Sequence, residues 1–259
     1  MKNIYIYRNM IFRNGYLQVD ELGTGRNAIR IEEEGGEEWH GSYENIWIAN
    51  NTVADNAGYG LKVSLRDVET MASAGQYENL DADTYYMSDV YVINNVFYKN
   101  TGPSDQGGQV GLIDKLKDGY RDERGFLCSI SLYSNAYSYR MGEGGEVVWI
   151  QTTGTVAAHS PWALARVDDL LNNTCLERRL ERRLVMGEHS MTFSGSLTVF
   201  RDAGNSDYRL SSSSPLIDAG MDIRQARHYE EEVWLTRGPD YNYSIDNGLF
   251  LLPSIGADE

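Results

Sequence analysis

Residues with chemical potential fall into two groups, aromatic and cationic, each repeated at long, nearly regular intervals. Tyr5, Trp47, Tyr91 and Ser131 form one series, flanked by Tyr7, Ala49, Ile93 and Tyr133. Stacked aromatic rings suit the apolar faces of sugars, whose CH groups bury against π-systems. The alternative is that these rings lie beneath a long loop or stack only on one another across strands. The second series is Arg30, Lys62, Gly111 and Trp149, with Arg66 two alternations beyond Lys62. Cations there could bind a carboxylate, or could be single exposed charges that interrupt a column.

Other residue types give less. Hydrolysis needs two carboxylates across a cleft, but Asp55, Asp67, Asp81, Asp83 and Asp114 all read as loop or turn positions and no pair stands out. The acidic run Glu32-Glu33-Glu34 with Glu37-Glu38 offers oxygen ligands of the kind Ca²⁺ takes, the alternative being a solvated acidic loop. No cofactor is otherwise implied. His40, His159, His189 and His228 show no metal-ligand spacing, so no metal site is assigned.

The elements that would position these residues come from an internal repeat. The motif reads NIYIYRNMIFRN from Asn3, NIWIANNTVADN from Asn45, DVYVINNVFYKN from Asp89 and, more weakly, SISLYSNAYSYR from Ser129, the starts being 42, 44 and 40 residues apart. Within each copy alternate residues are apolar: Ile4 and Ile6, Ile46 and Ile48, Val90 and Val92, Ile130 and Leu132. That is the period of a strand with one face in a core. An Asn follows at a constant offset, at Asn9, Asn51, Asn95 and Asn135. At one turn position, repeated amides can bond neighbouring windings and form a ladder. A third apolar position comes at Ile11, Val53, Phe97 and Tyr137, and a later strand at Ala28–Ile31, Gly60–Val63, Val110–Ile113 and Val147–Ile150. Long polar loops over 32–44, 64–88 and 114–127 separate the copies. A single constant turn offset favours windings of parallel strands over propeller blades.

The expected fold is therefore all-β, a parallel β-helix of about four coils over residues 1–151. A helical insertion is expected over 152–190, densest near 160–186: Ser160-Pro161 reads as a helix start, and Leu176, Leu180 and Leu184 recur every fourth residue before Gly187. Arg178, Arg179, Arg182 and Arg183 there read as a solvated face paired with Glu177 and Glu181. Residues 191–259 should supply a last coil and a closing segment, the whole forming one structural domain.

The ending carries a resemblance. Asp207-Tyr208-Arg209-Leu210, then Ser213-Ser214-Pro215-Leu216-Ile217-Asp218-Ala219-Gly220, and finally Ile255-Gly256-Ala257-Asp258-Glu259 resemble the terminal signature of bacterial right-handed β-helix proteins of the pectin-lyase-like group. The resemblance implies a right-handed helix and an extracellular or cell-surface setting. Lyases of that group neutralise a uronate carboxylate with cations and abstract a proton with Lys or Arg. By resemblance Lys62 would be the base and Arg30 and Arg66 the carboxylate binders; the repeat spacing separately offers Tyr5, Trp47, Tyr91 and Trp149 as candidate sugar-binding aromatics. A carbohydrate-associated protein, lyase-like or glycan-processing, is one expectation. A non-catalytic surface, adhesion or tail-fibre module is the other.

Bulk properties limit the partners. A net charge of −15 at pH 7 repels phosphate backbones, so nucleic acid is not expected. A polysaccharide or glycan is, with neutral glycans suiting the acidic surface better than polyuronates. No apolar run is long enough to span a membrane. The first residues lack a signal-peptide pattern, and Met1 opens directly into strand-like sequence, so the chain reads as the tail of a longer protein or a piece cut from one. An uncapped first coil exposes strand edges, and self-association is expected there unless the loop 15–26 or the C-terminal segment covers it.

Overall fold

The computed structural model describes residues 2–14, 27–32, 43–65, 87–100, 109–114, 130–139, 146–152, 161–163, 190–194 and 198–220. These residues are all-β apart from one 3-10 turn at Ala203–Asn205. Each copy of the repeat contributes one strand to each of three stacked sheets. Sheet 1 holds β1 (Lys2–Tyr7), β4 (Tyr43–Ala49), β7 (Met87–Ile93) and β10 (Ile130–Tyr133) in that order. Sheet 2 runs β2 (Met10–Phe12), β5 (Thr52–Ala54), β8 (Val96–Tyr98), β11 (Ala136–Tyr139) and β14 (Met191–Ser194). Sheet 3 runs β3 (Ile29–Glu32), β6 (Leu61–Leu65), β9 (Val110–Asp114), β12 (Glu146–Thr152) and β13 (Pro161–Ala163). All neighbours are parallel except β12 and β13. This connectivity is compatible with a β-helix.

The register shows why the sequence stacks this way. Ile4, Ile46, Val90 and Ile130 are successive strand partners, as are Ile6, Ile48, Val92 and Leu132. In sheet 2 the same holds for Ile11, Val53, Phe97 and Tyr137, and the last two rings stack at 5.5 Å. Sheet 3 adds Ile29, Leu61, Val110 and Val148. Together these files form one interior cluster. A one-residue slip in any strand would turn its whole apolar set outward, so the alternation itself fixes the register.

Two polar ladders run through the turns. The Nδ2 of Asn9 donates to Oδ1 of Asn51, that of Asn51 to Asn95, and that of Asn95 to Asn135, at 3.0, 2.9 and 3.0 Å. Each backbone N–H bonds the same oxygen. Ser190 continues the ladder, its Oγ accepting from the Asn135 N–H. The second ladder runs from Asn14 through Asn56 and Asn100 to the Gln109 side chain. Each ladder Asn follows a residue in the left-handed region: Arg8, Asn50, Asn94 and Ser134 in the first, Arg13, Asp55 and Lys99 in the second. Without glycine that conformation costs about 1–2 kcal/mol per residue, and the ladder bonds offset it. Gly60 serves the second ladder by absence of bulk, since a Cβ there would lie 2.7 Å from Asn100 Nδ2 and 2.8 Å from the Phe97 ring.

The closing segment departs from a simple terminal coil. A hairpin of β15 (Phe200–Asp202) and β16 (Asp207–Leu210) packs on the outer face of sheet 2, where Val199, Phe200, Tyr208, Leu210 and Leu216 join Ala54, Val96, Tyr98, Ala136 and Phe193 in a second apolar cluster. Tyr208 touches Phe12 at 5.2 Å, Phe200 at 5.4 Å and Tyr98 at 6.4 Å, and its hydroxyl donates to Asp55 at 3.4 Å. The segment therefore straps across the windings, from the one holding β14 to the one holding β2.

The expected helix start needs correction. Pro161–Ala163 is a strand, antiparallel to β12 with Trp149 opposite Pro161. Pairing with a sheet edge satisfies its backbone there, overriding the Ser-Pro capping signal. The rest of the expected helix lies outside the described residues.

Candidate functional site

The cationic series is one file on sheet 3, with Arg30 opposite Lys62, Lys62 opposite Gly111, and Gly111 opposite Trp149. Strand alternation puts Glu32 on the same face as Arg30, one pleat further along. It accepts from Arg30 Nε, and from Lys62 Nζ at 3.3 Å and 3.2 Å through its two oxygens. Its side chain is 8% exposed, against 17% for Lys62 and 34% for Arg30. Burial acts to raise the Glu32 pKa, but the Arg30 hydrogen bond and the nearby Lys62 charge outweigh it, and the carboxyl sits below its ordinary range. Beside this cluster the Tyr59 ring covers the glycine of the file: a Cβ on Gly111 would meet it at 3.0 Å. Ser64, opposite Glu32, is buried.

Lys62 thus faces the Glu32 carboxylate, and its strand partner Arg30 is tied to the same group. Arg66, the third residue of the expected set, lies outside the described residues, as does the acidic run beyond Glu32. The Trp149 backbone holds its place in the file, and its side chain is outside the described set.

The aromatic file has the expected register, Tyr5 to Trp47 to Tyr91, but not the expected exposure. Trp47 is 2% and Tyr91 5% exposed, and their rings stack at 4.1 Å with 21° between planes. The Trp47 indole N–H donates to Asn45 Oδ1, and Asn45 Nδ2 donates to the Tyr5 hydroxyl at 3.3 Å. Trp47 and Tyr91 each turn one ring face to the other, the contact that the cross-strand alternative describes. Rings on adjacent parallel strands sit about one strand spacing apart, ~4.8 Å, so stacking is their natural arrangement.

Two features are visible in the sequence only in hindsight of the strand register. Glu32 opens the acidic run, yet its place two residues after Arg30 puts both on one strand face. The second ladder is present as the last residue of the first three repeat copies, Asn14, Asn56 and Asn100. Among the described residues no group of three or more His, Cys, Asp or Glu could hold a metal ion. No protein-family model matches the chain, and no curated protein or solved structure matches it.

Proposed function

We propose that the chain is a right-handed parallel β-helix of the pectin-lyase-like kind, working as a carbohydrate-associated module that binds glycan without cleaving it. Handedness follows from the crossovers, since parallel strands joined through a connection wind right-handed in about 98% of cases. The carbohydrate setting, on the outside of a cell, rests on the resemblance of the ending, whose Tyr208, Leu210 and Leu216 are buried against sheet 2.

The observation that carries the binding reading is the Glu32 carboxylate held between Arg30 and Lys62. The shared carboxylate offsets one of the two positive charges and engages a donor of each cation, which weakens their capture of a uronate. A carboxylate flanked by two cationic donors instead offers acceptors and donors side by side, which matches adjacent sugar hydroxyls. The net charge of −15 acts in the same direction, against polyanionic chains. The test is a panel of alginate, pectin, chondroitin and heparin, with and without Ca²⁺, alongside neutral gluco-, manno-, xylo- and galacto-oligosaccharides. Binding to a neutral glycan, weakened about tenfold by Lys62→Ala, is expected. Accumulation of an unsaturated, ultraviolet-absorbing product from any uronate polymer would overturn this reading in favour of a lyase.

A further inference from the structure

Among the described residues, the buried side-chain groups without a hydrogen-bond partner are Ser134 Oγ and the hydroxyls of Tyr59 and Tyr137. A buried polar group in that state has lost its hydration without compensation, so each calls for an explanation. Ser134 lies in the turn between β10 and β11, and Tyr137 belongs to the interior file of sheet 2. Tyr59 is different, because its ring lies on the outward face of sheet 3 beside the Arg30–Glu32–Lys62 cluster.

Its place is fixed from two sides. The Tyr59 N–H donates to Asn27 Oδ1 at 3.0 Å and its carbonyl accepts from the Ala28 N–H at 2.9 Å, which ties the backbone to the preceding winding. The ring reaches the opposite way, over Gly111 of the following winding. A Cβ built on Gly111 would meet Cε2 at 3.0 Å and Cδ2 and Cζ at 3.1 Å. Val110 and Leu112 point into the core, so that Cβ direction is outward. Gly111 is also the strand partner of Lys62. The carbon bearing the hydroxyl therefore stands over the file position next to Lys62, one strand spacing (~4.8 Å) along the stack. The file reads Arg30, Lys62, then a phenol ring in the slot the glycine leaves. At 2% exposure Tyr59 can be met only by a small group that reaches in. A sugar hydroxyl, donor and acceptor at once, is such a group.

We propose that the Tyr59 hydroxyl is a further ligand-binding group beside the Glu32 cluster, pairing with one hydroxyl of a neutral glycan, and that position 111 is glycine to admit its ring. This rests on the reading that the cluster binds glycan. Tyr59→Phe removes the hydroxyl and keeps the ring. It is compared with the parent and Lys62→Ala by calorimetric titration with neutral gluco-, manno-, xylo- and galacto-oligosaccharides, and by thermal unfolding without ligand. Tyr59→Phe is expected to keep or raise the thermal midpoint, since the free chain loses no hydrogen bond. It is expected to weaken binding about three- to tenfold. A lowered midpoint would show that the hydroxyl is already paired within the chain, and an unchanged affinity that the ligand does not reach it. Either result overturns this inference, and leaves the glycan reading standing where Lys62→Ala still weakens binding. A parent that binds none of these oligosaccharides would overturn both.

Discussion

At the scale of single residues, the buried amides carry most of the specificity. Asn95 Nδ2 donates to Ile48 O, Ile93 O and Asn135 Oδ1, and its Oδ1 accepts from both nitrogens of Asn51. Truncation strands several of these groups away from water at about 1–3 kcal/mol each. Asn95→Ala should therefore lower unfolding free energy by about 3 kcal/mol or more in urea titration, while Asn9→Ala, at an exposed position, should cost less than about 1 kcal/mol. Equal losses would mean the ladder is not a buried structural unit. Glu32 makes the second residue-scale prediction. Its carboxyl is held below the ordinary 4.5, so its contribution is present above that pH and is lost as pH falls through the lower folded-state value. Glu32→Gln should flatten the acid limb of the stability–pH curve below about pH 4.5 relative to the parent, and an unchanged limb would contradict the clasp.

At the scale of elements, strands were readable in the sequence because one physical signal, period-2 apolarity with a turn Asn at fixed offset, repeats in every copy. Phe97 and Tyr137 were placed in one file from spacing alone, and their rings do stack. Facing was harder to read. The outward parity of Trp47 and Tyr91 on their strands follows from alternation, but nothing in spacing says whether an outward ring meets water, and both are buried. Pro161 failed for a related reason, since a capping signal is local whereas the free edge of β12 is not. Nor did the ending disclose how its apolar residues are used. The hairpin of β15 and β16 lies along sheet 2 as a strap, and Tyr208 links Phe12, Tyr98, Phe200 and Asp55. Tyr208→Ala should cost about 3–5 kcal/mol and expose the segment 198–220 to proteolysis before the windings unfold. Loss of the whole fold in a single step, with no early cleavage, would show that strap and stack are one cooperative unit.

At the scale of the whole molecule, stability accrues winding by winding. Each repeat buries its apolar face only against its neighbours, as in other stacked-repeat architectures. Fully burying one Ile, Leu or Val contributes roughly 1.5–3 kcal/mol, and three sheets share one continuous interior. The stack sets the Arg30–Glu32–Lys62 cluster on the outward face of sheet 3. That placement depends on single-file stacking, which methyl-labelled NMR tests most directly. With Ile and Val methyls labelled, cross-peaks should join Ile4 to Ile46, Ile46 to Val90 and Val90 to Ile130, about one strand spacing of ~4.8 Å apart. None should join Ile46 to Ile130, two spacings or ~10 Å apart. A missing neighbour cross-peak along that file, or a direct Ile46–Ile130 contact, would contradict the stacked architecture.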